Sequence, residues 1–205
     1  MNKLAKIISL IFHPLFIPFY LMVIILFLPY YRMQSYNFHY KIYLLIYVLI
    51  LDIAIPIMAF KILKIFKIIS NLQLENAKER TFPYIIMLIV YSFTGFLFFR
   101  IPYMPPFIYG LFISISLIVL IISILNNFLK VSAHSAAVSA ASVWFYIIFR
   151  TLEINTSNLL IISIIISGLV MSSRLYLKVH TQSEIYLGFL VGLLTSLSIG
   201  EIFIY

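Results

Sequence analysis

Four residues within eleven positions have the types and spacing for chemistry: Arg174, Lys178, His180 and Glu184. On a helix His180 and Glu184 are i and i+4 and share a face. A carboxylate placed there holds one imidazole nitrogen and leaves the other free and more basic, the usual way to orient a histidine nucleophile or base. Arg174 adds a planar fork suited to phosphate. A plainer reading makes Arg174 and Lys178 membrane anchors and His180–Glu184 a surface pair. A second cluster lies in "KVSAHSAA", 130–137. Ser132 is a plausible N-cap for a following helix, and His134 falls in that helix's first turn, where free N–H groups favour an anion. A third, "NAKERTFPY" at 76–84, brings Lys78 and Arg80 just before Pro83, which suits a first helical turn. Two histidines, a carboxylate and several cations are the set for phosphoryl transfer through histidine. One imidazole attacks, a carboxylate orients it, a second imidazole protonates the leaving oxygen, and cations neutralise the phosphate. Nothing in the pattern requires a metal or another cofactor.

The elements that must position these groups are membrane helices. The 205 residues are 64% hydrophobic and only 10% charged, whereas soluble domains are about 25% charged. Cysteine is absent, which excludes disulfides, thiolate catalysis and Cys-ligated metals. A bilayer-crossing helix needs about 20 apolar residues, and seven runs qualify: roughly 7–29, 41–60, 83–99, 107–129, 133–149, 157–172 and 184–204. The expectation is an all-α polytopic bundle of six to seven transmembrane helices in a single domain, 1–205. The first run, after Lys3 and Lys6, resembles a signal peptide but is too long and lacks a small-residue cleavage site, so it is read as a retained span. The third is short enough to be tilted or re-entrant. The fifth opens on "SAHSAAVSAAS", small residues that should face protein. Lysines 61, 64 and 67 predict an amphipathic surface helix over the start of 61–82.

Parity puts the three polar clusters on one membrane face, because two spans separate each from the next. The net charge of +8 is spread over short loops, a pattern of orientation and anionic head groups rather than of nucleic acid. Ten Lys and Arg lie on the cluster side and four on the other. Five of the ten are candidate phosphate ligands, and the Lys61–Lys67 run then tips the balance towards a cytoplasmic cluster face. Asp52, in mid-membrane before Pro56, is a functional candidate by position or a partner for a donor freed by the proline kink. His13–Pro14 in the first run, with Pro18, suggests a kinked or interfacial helix, and His13 is read as structural.

With these residues on the page, the chain resembles the type 2 phosphatidic acid phosphatase superfamily over about 73–190. That family has the motifs K-x6-R-P, P-S-G-H and S-R-x5-H-x3-D. Ser173, Arg174, His180 and Glu184 reproduce the third, with Glu for Asp. Ser132 and His134 keep the second, with Val131 for proline and Ala133 for glycine. Arg80 stands for the arginine of the first, followed by Thr81, and Gln73 occupies the lysine position; Lys78 or Lys130 is the candidate replacement. The resemblance implies a metal-independent lipid phosphate or diphosphate phosphatase in the cell (inner) membrane. His180 would be the nucleophile, Glu184 its orienter and His134 the acid. Arg174, Arg80, Ser132, Ser173, Lys78 and Lys130 would surround the phosphate. The partners implied are a lipid phosphate substrate and membrane lipids, not nucleic acid. Two alternatives stand beside it: an inactive relative serving as a membrane scaffold or head-group binder, and, last, a proton-coupled transporter using Asp52 and His180.

Overall fold

The computed structural model describes residues 2–28, 31–71, 77–152 and 157–203. Among these the regular structure is entirely helical. Six helices are long and apolar enough to cross a membrane, and the protein is an all-α, multi-pass membrane bundle. The first crossing, Phe38–Ile65, follows the short α3 (Tyr31–Ser35) and is one 28-residue rod made of α4 (Phe38–Val48), a π-helical segment (Leu49–Ala54) and α5 (Ile55–Ile65). The others are α6 (Thr81–Arg100), α7 (Pro106–Leu125), α8 (Ala133–Leu152), α9 (Ser157–Tyr176) and α10 (Gln182–Phe203). Helix α6 spans 20 residues, full bilayer length, with Pro83 in its first turn.

Two expectations are corrected. The run 7–29 is not a continuous span. It divides into α1 (Asn2–Ile11) and α2 (Ile17–Phe27), because Pro14 and Pro18 remove backbone donors in consecutive turns. At 11 residues α2 is too short to cross by itself. The lysines of 61–67 form no separate surface helix. The transmembrane rod continues through Lys61 and Lys64, and Lys67 ends it in the left-handed region at φ 58°.

Helix α8 is the centre of the bundle. Of its apolar window 61% is buried, against 22% for α9, as its small residues require. Helix α10 lies against α8 and α7, α6 against α7, α9 against α8, and α1 against α9. The α8–α10 contact is close because Gly188, Gly192, Ser196 and Gly200 recur every fourth residue along α10. Serines bind the helices further. Ser135 Oγ donates to the Ile185 carbonyl at 2.7 Å, and Ser139 Oγ to that of Phe189 at 3.0 Å. In a bilayer, which gives little hydrophobic drive between helices, small-residue packing and such bonds hold a bundle together. The large exposed residues, among them Ile161, Ile165, Phe93 and Phe96, face the acyl chains.

Asp52 sits in the π-helical turn that precedes Pro56, where a helix must adjust around the missing donor. Its carboxyl is fully buried and accepts from Thr94 Oγ1 at 2.7 Å, a hydroxyl on the neighbouring α6 rather than one released by the kink. Thr94→Val removes this donor and is expected to cost about 1–3 kcal/mol of stability, the penalty for stranding a buried polar group. Thermal unfolding in detergent, followed by circular dichroism, measures it.

Candidate functional site

The connections after α5, α7 and α9 join alternate pairs of spans, and their described residues Arg80, Val131, Lys130 and Val179 meet on one face. The turn after α9 is closed by Lys178 in the left-handed region, φ 54°, while the Val179 N–H donates to the Arg174 carbonyl. The chain reverses there, and His180 is buried just before α10, 8% exposed. Thr181 and Glu184 then cap α10 reciprocally. The Glu184 N–H donates to Thr181 Oγ1, and Glu184 Oε2 accepts the Thr181 N–H, both at 3.4 Å. This T-x-x-E capping box fixes the carboxylate, whose Oε2 also meets His180 Nδ1 at 2.7 Å. A carboxylate accepts, so Nδ1 carries the proton and Nε2 keeps its lone pair.

His180 lines a cavity together with His134, Arg80, Arg174 and His13. Arg80 is buried, and its Nη1 donates to the Val131 carbonyl at 3.3 Å. His134 stands in the first turn of α8, and its Nε2 meets the Ser9 carbonyl at 3.2 Å. Since a carbonyl accepts only, Nε2 holds a proton there. The His13 ring packs edge-on to His134, centroids 5.1 Å apart, and its Nδ1 accepts the Leu15 N–H at 3.3 Å. The α8 N-terminus at Ala133 reaches the same cavity and adds its partial positive charge. Two guanidinium groups and a helix N-terminus make this end of the cavity a place for an anion.

The sequence-derived site residues divide. His134, His180, Arg80 and Arg174 share the cavity wall, and Glu184 supports His180 from behind. Ser132, Ser173 and Lys130 lie off this wall, and each is hydrogen-bonded elsewhere. The Ser132 hydroxyl caps α8, accepting the Ser135 N–H at 3.3 Å. Ser173 Oγ donates to the Val170 carbonyl at 2.7 Å and pairs with Ser9 Oγ at 2.9 Å. Lys130 Nζ donates to the Val179 carbonyl at 2.8 Å and braces the 177–181 turn. Lys78 lies in the 3-10 turn Ala77–Arg80, but its side chain, like Gln73, lies outside the described residues. Asp52 is not on the cavity wall. His13, read from sequence as structural, is on it; its HP pair signals only a helix break, and nothing local tells that the break faces α8. No group of three or more metal-ligating side chains occurs among the described residues.

Burial pushes the His180 pKa down, the Glu184 hydrogen bond pushes it up, and the charges of Arg174, Lys130 and Arg80 lower it again, to about 4. At neutral pH the ring is uncharged, with Nε2 available as a nucleophile. Comparison with family models, with curated proteins and with solved structures gives no match to this chain.

Proposed function

We propose that this protein is a lipid phosphate phosphatase of the inner membrane that works through a phosphohistidine and belongs to the type 2 phosphatidic acid phosphatase superfamily. The observation that carries the reading is that His134 of α8, Arg174 of α9, Arg80 before α6 and His180 before α10 line one cavity, with His180 Nδ1 held by Glu184. The motif spacing in the sequence agrees with it. His180 Nε2 attacks phosphorus, the P–O bond to the lipid breaks, and its electron pair leaves on the lipid oxygen. His134 takes up a second proton, on Nδ1, together with the anionic substrate and hands it to that oxygen while the Ser9 carbonyl keeps hold of Nε2. Water then attacks the phosphohistidine and passes its proton to His134. Inorganic phosphate departs and His180 is restored. Arg80 and Arg174 balance the charge on the phosphoryl oxygens throughout.

The test is phosphate release by purified protein from a panel of lipid phosphate monoesters and diphosphates. Release from at least one supports the reading. Head-group binding without release on any replaces it with a non-catalytic lipid-binding role. The low His180 pKa gives a pH prediction with a definite sign. A histidine whose pKa is lowered stays neutral, and so nucleophilic, above about 4 and loses that capacity only below it. The substrate titrates too, near pH 6, so the informative quantity is a displacement. Lys130→Met removes one of the charges that lower the His180 pKa without touching the cavity wall. It is expected to move the acid limb of kcat/KM, which reports free-enzyme groups, to higher pH.

A further inference from the structure

The cavity does not stop at the cationic mouth. It continues between α6, α7 and α8, past Met87, Ile115 and Ala137, to Tyr91, Leu111 and Trp144. Along α8 its wall consists of Ala133, Ala137, Ala140 and Ala141, then Trp144. These fall one above another at helical spacing, so four methyl side chains leave a groove and one indole ends it. Trp144 is fully buried and fixed in place. Its Nε1 donates to Ser114 Oγ at 3.2 Å, and Ser114 Oγ pairs with Ser196 Oγ at 3.0 Å. At a rise of about 1.5 Å per residue, Trp144 lies about 16 Å below Ala133. That is close to half of a hydrocarbon core about 30 Å thick, so the groove ends near the bilayer midplane.

From this shape we infer that the site takes a lipid phosphate with a single hydrocarbon chain, and that Trp144 limits the length of that chain. Two observations point to a ligand rather than to loose packing. His180 at the mouth is more than nine-tenths buried, lines the cavity, and among the described residues no group bonds its Nε2. The cavity volume is about 140 Å³, similar to the roughly 150 Å³ apolar cavity that holds one benzene ring. Between alanine methyls that volume leaves room for one chain and not for two side by side, so a two-chain lipid can place only one tail inside. Selection is steric. A chain in the bilayer is already among hydrocarbon and gains little by transfer, but one longer than the groove meets a hydrogen-bonded indole. The phosphate end of this inference rests on the phosphatase reading, and the chain end rests on the groove alone.

Trp144 is the chain's one tryptophan and so reports on its own contacts. Monoalkyl phosphates with a terminal bromine, in a series of lengths, would be added to the full-length protein in detergent micelles, and to the His180→Ala variant, which does not consume them. Bromine quenches indole emission on contact. Quenching should appear once the extended chain reaches about 16 Å, the groove depth at about 1.5 Å per residue. It should be lost when the bromine is moved to mid-chain, and longer chains should bind at least about tenfold more weakly, ~1.4 kcal/mol. Ala140→Leu, which fills the groove partway, should shift the optimum to shorter chains in both quenching and phosphate release. This pattern without phosphate release on any chain supports the chain-length limit and defeats the phosphatase reading. Quenching that ignores chain length and bromine position overturns the limit, and phosphate release that continues at every length alongside it leaves the phosphatase reading standing.

Discussion

His180→Ala is expected to lower phosphate release by about 10⁴-fold or more, the scale of loss when a covalent nucleophile is removed. The argument depends on one nitrogen. Nδ1 keeps its proton and donates a hydrogen bond to Glu184, so the attacking pair is on Nε2. Among the described residues no other side chain on the cavity wall offers both a lone pair and a carboxylate behind it. Glu184→Gln separates orientation from attack. An amide in place of the carboxylate can present its N–H₂ to Nδ1 and favour the wrong tautomer, and such a change at a catalytic histidine costs about 10⁴-fold. Because the two residues act as a unit, the double variant should be little worse than His180→Ala. Rates are measured by inorganic phosphate release at saturating substrate, with Thr94→Val, far from the cavity mouth, as the control that retains activity.

The second large effect is structural and lies away from the polar face. Gly192→Leu should eliminate folded, active protein. A Cβ at Gly192 would collide with the Ala136 carbonyl oxygen and the Ser139 hydroxyl of α8, and one at Gly188 with the Ser132 carbonyl. Backbone cannot yield as a side chain does. Overpacking of this kind costs about 1–3 kcal/mol and more where the backbone must move. The separation forced on α8 and α10 also parts His134 from His180, since one begins α8 and the other precedes α10. Size-exclusion profile and phosphate release should fall together. Gly168 is the counter-case: a Cβ added there would meet nothing within 4 Å, and Gly168→Ala should change stability by no more than about 0.5 kcal/mol.

The six crossings and the common face of the polar turns are legible in the sequence, because apolar run length and loop parity need no tertiary information. The pairing of His180 with Glu184 is legible for the same reason, being a matter of helical spacing. What cannot be read is which polar side chains the packing consumes. Ser173 and Ser132 have the right types at the right spacing, yet one is taken by Ser9 and Val170 and the other by the cap of α8. Lys130 sits in a motif-bearing loop and holds up a neighbouring turn. Pro14 and Pro18 announce a kink in 7–29, but the hydrophobicity of the run conceals that the kink is a full break between two helices, and nothing local places His13 beside His134. Two local signals carry more than composition reveals. One is the Thr181–Glu184 capping box; the other is the four-residue recurrence of Gly188, Gly192, Ser196 and Gly200, which announces close helix approach by spacing alone.

The phosphohistidine itself is the decisive observable. The protein would be mixed with a lipid phosphate labelled at phosphorus, stopped with base within milliseconds, digested and mapped. The expected result is label on the peptide containing His180, stable in base and lost in acid, and absent from His180→Ala. Phosphate release with no label on His180, or with label on a different residue, would contradict the account.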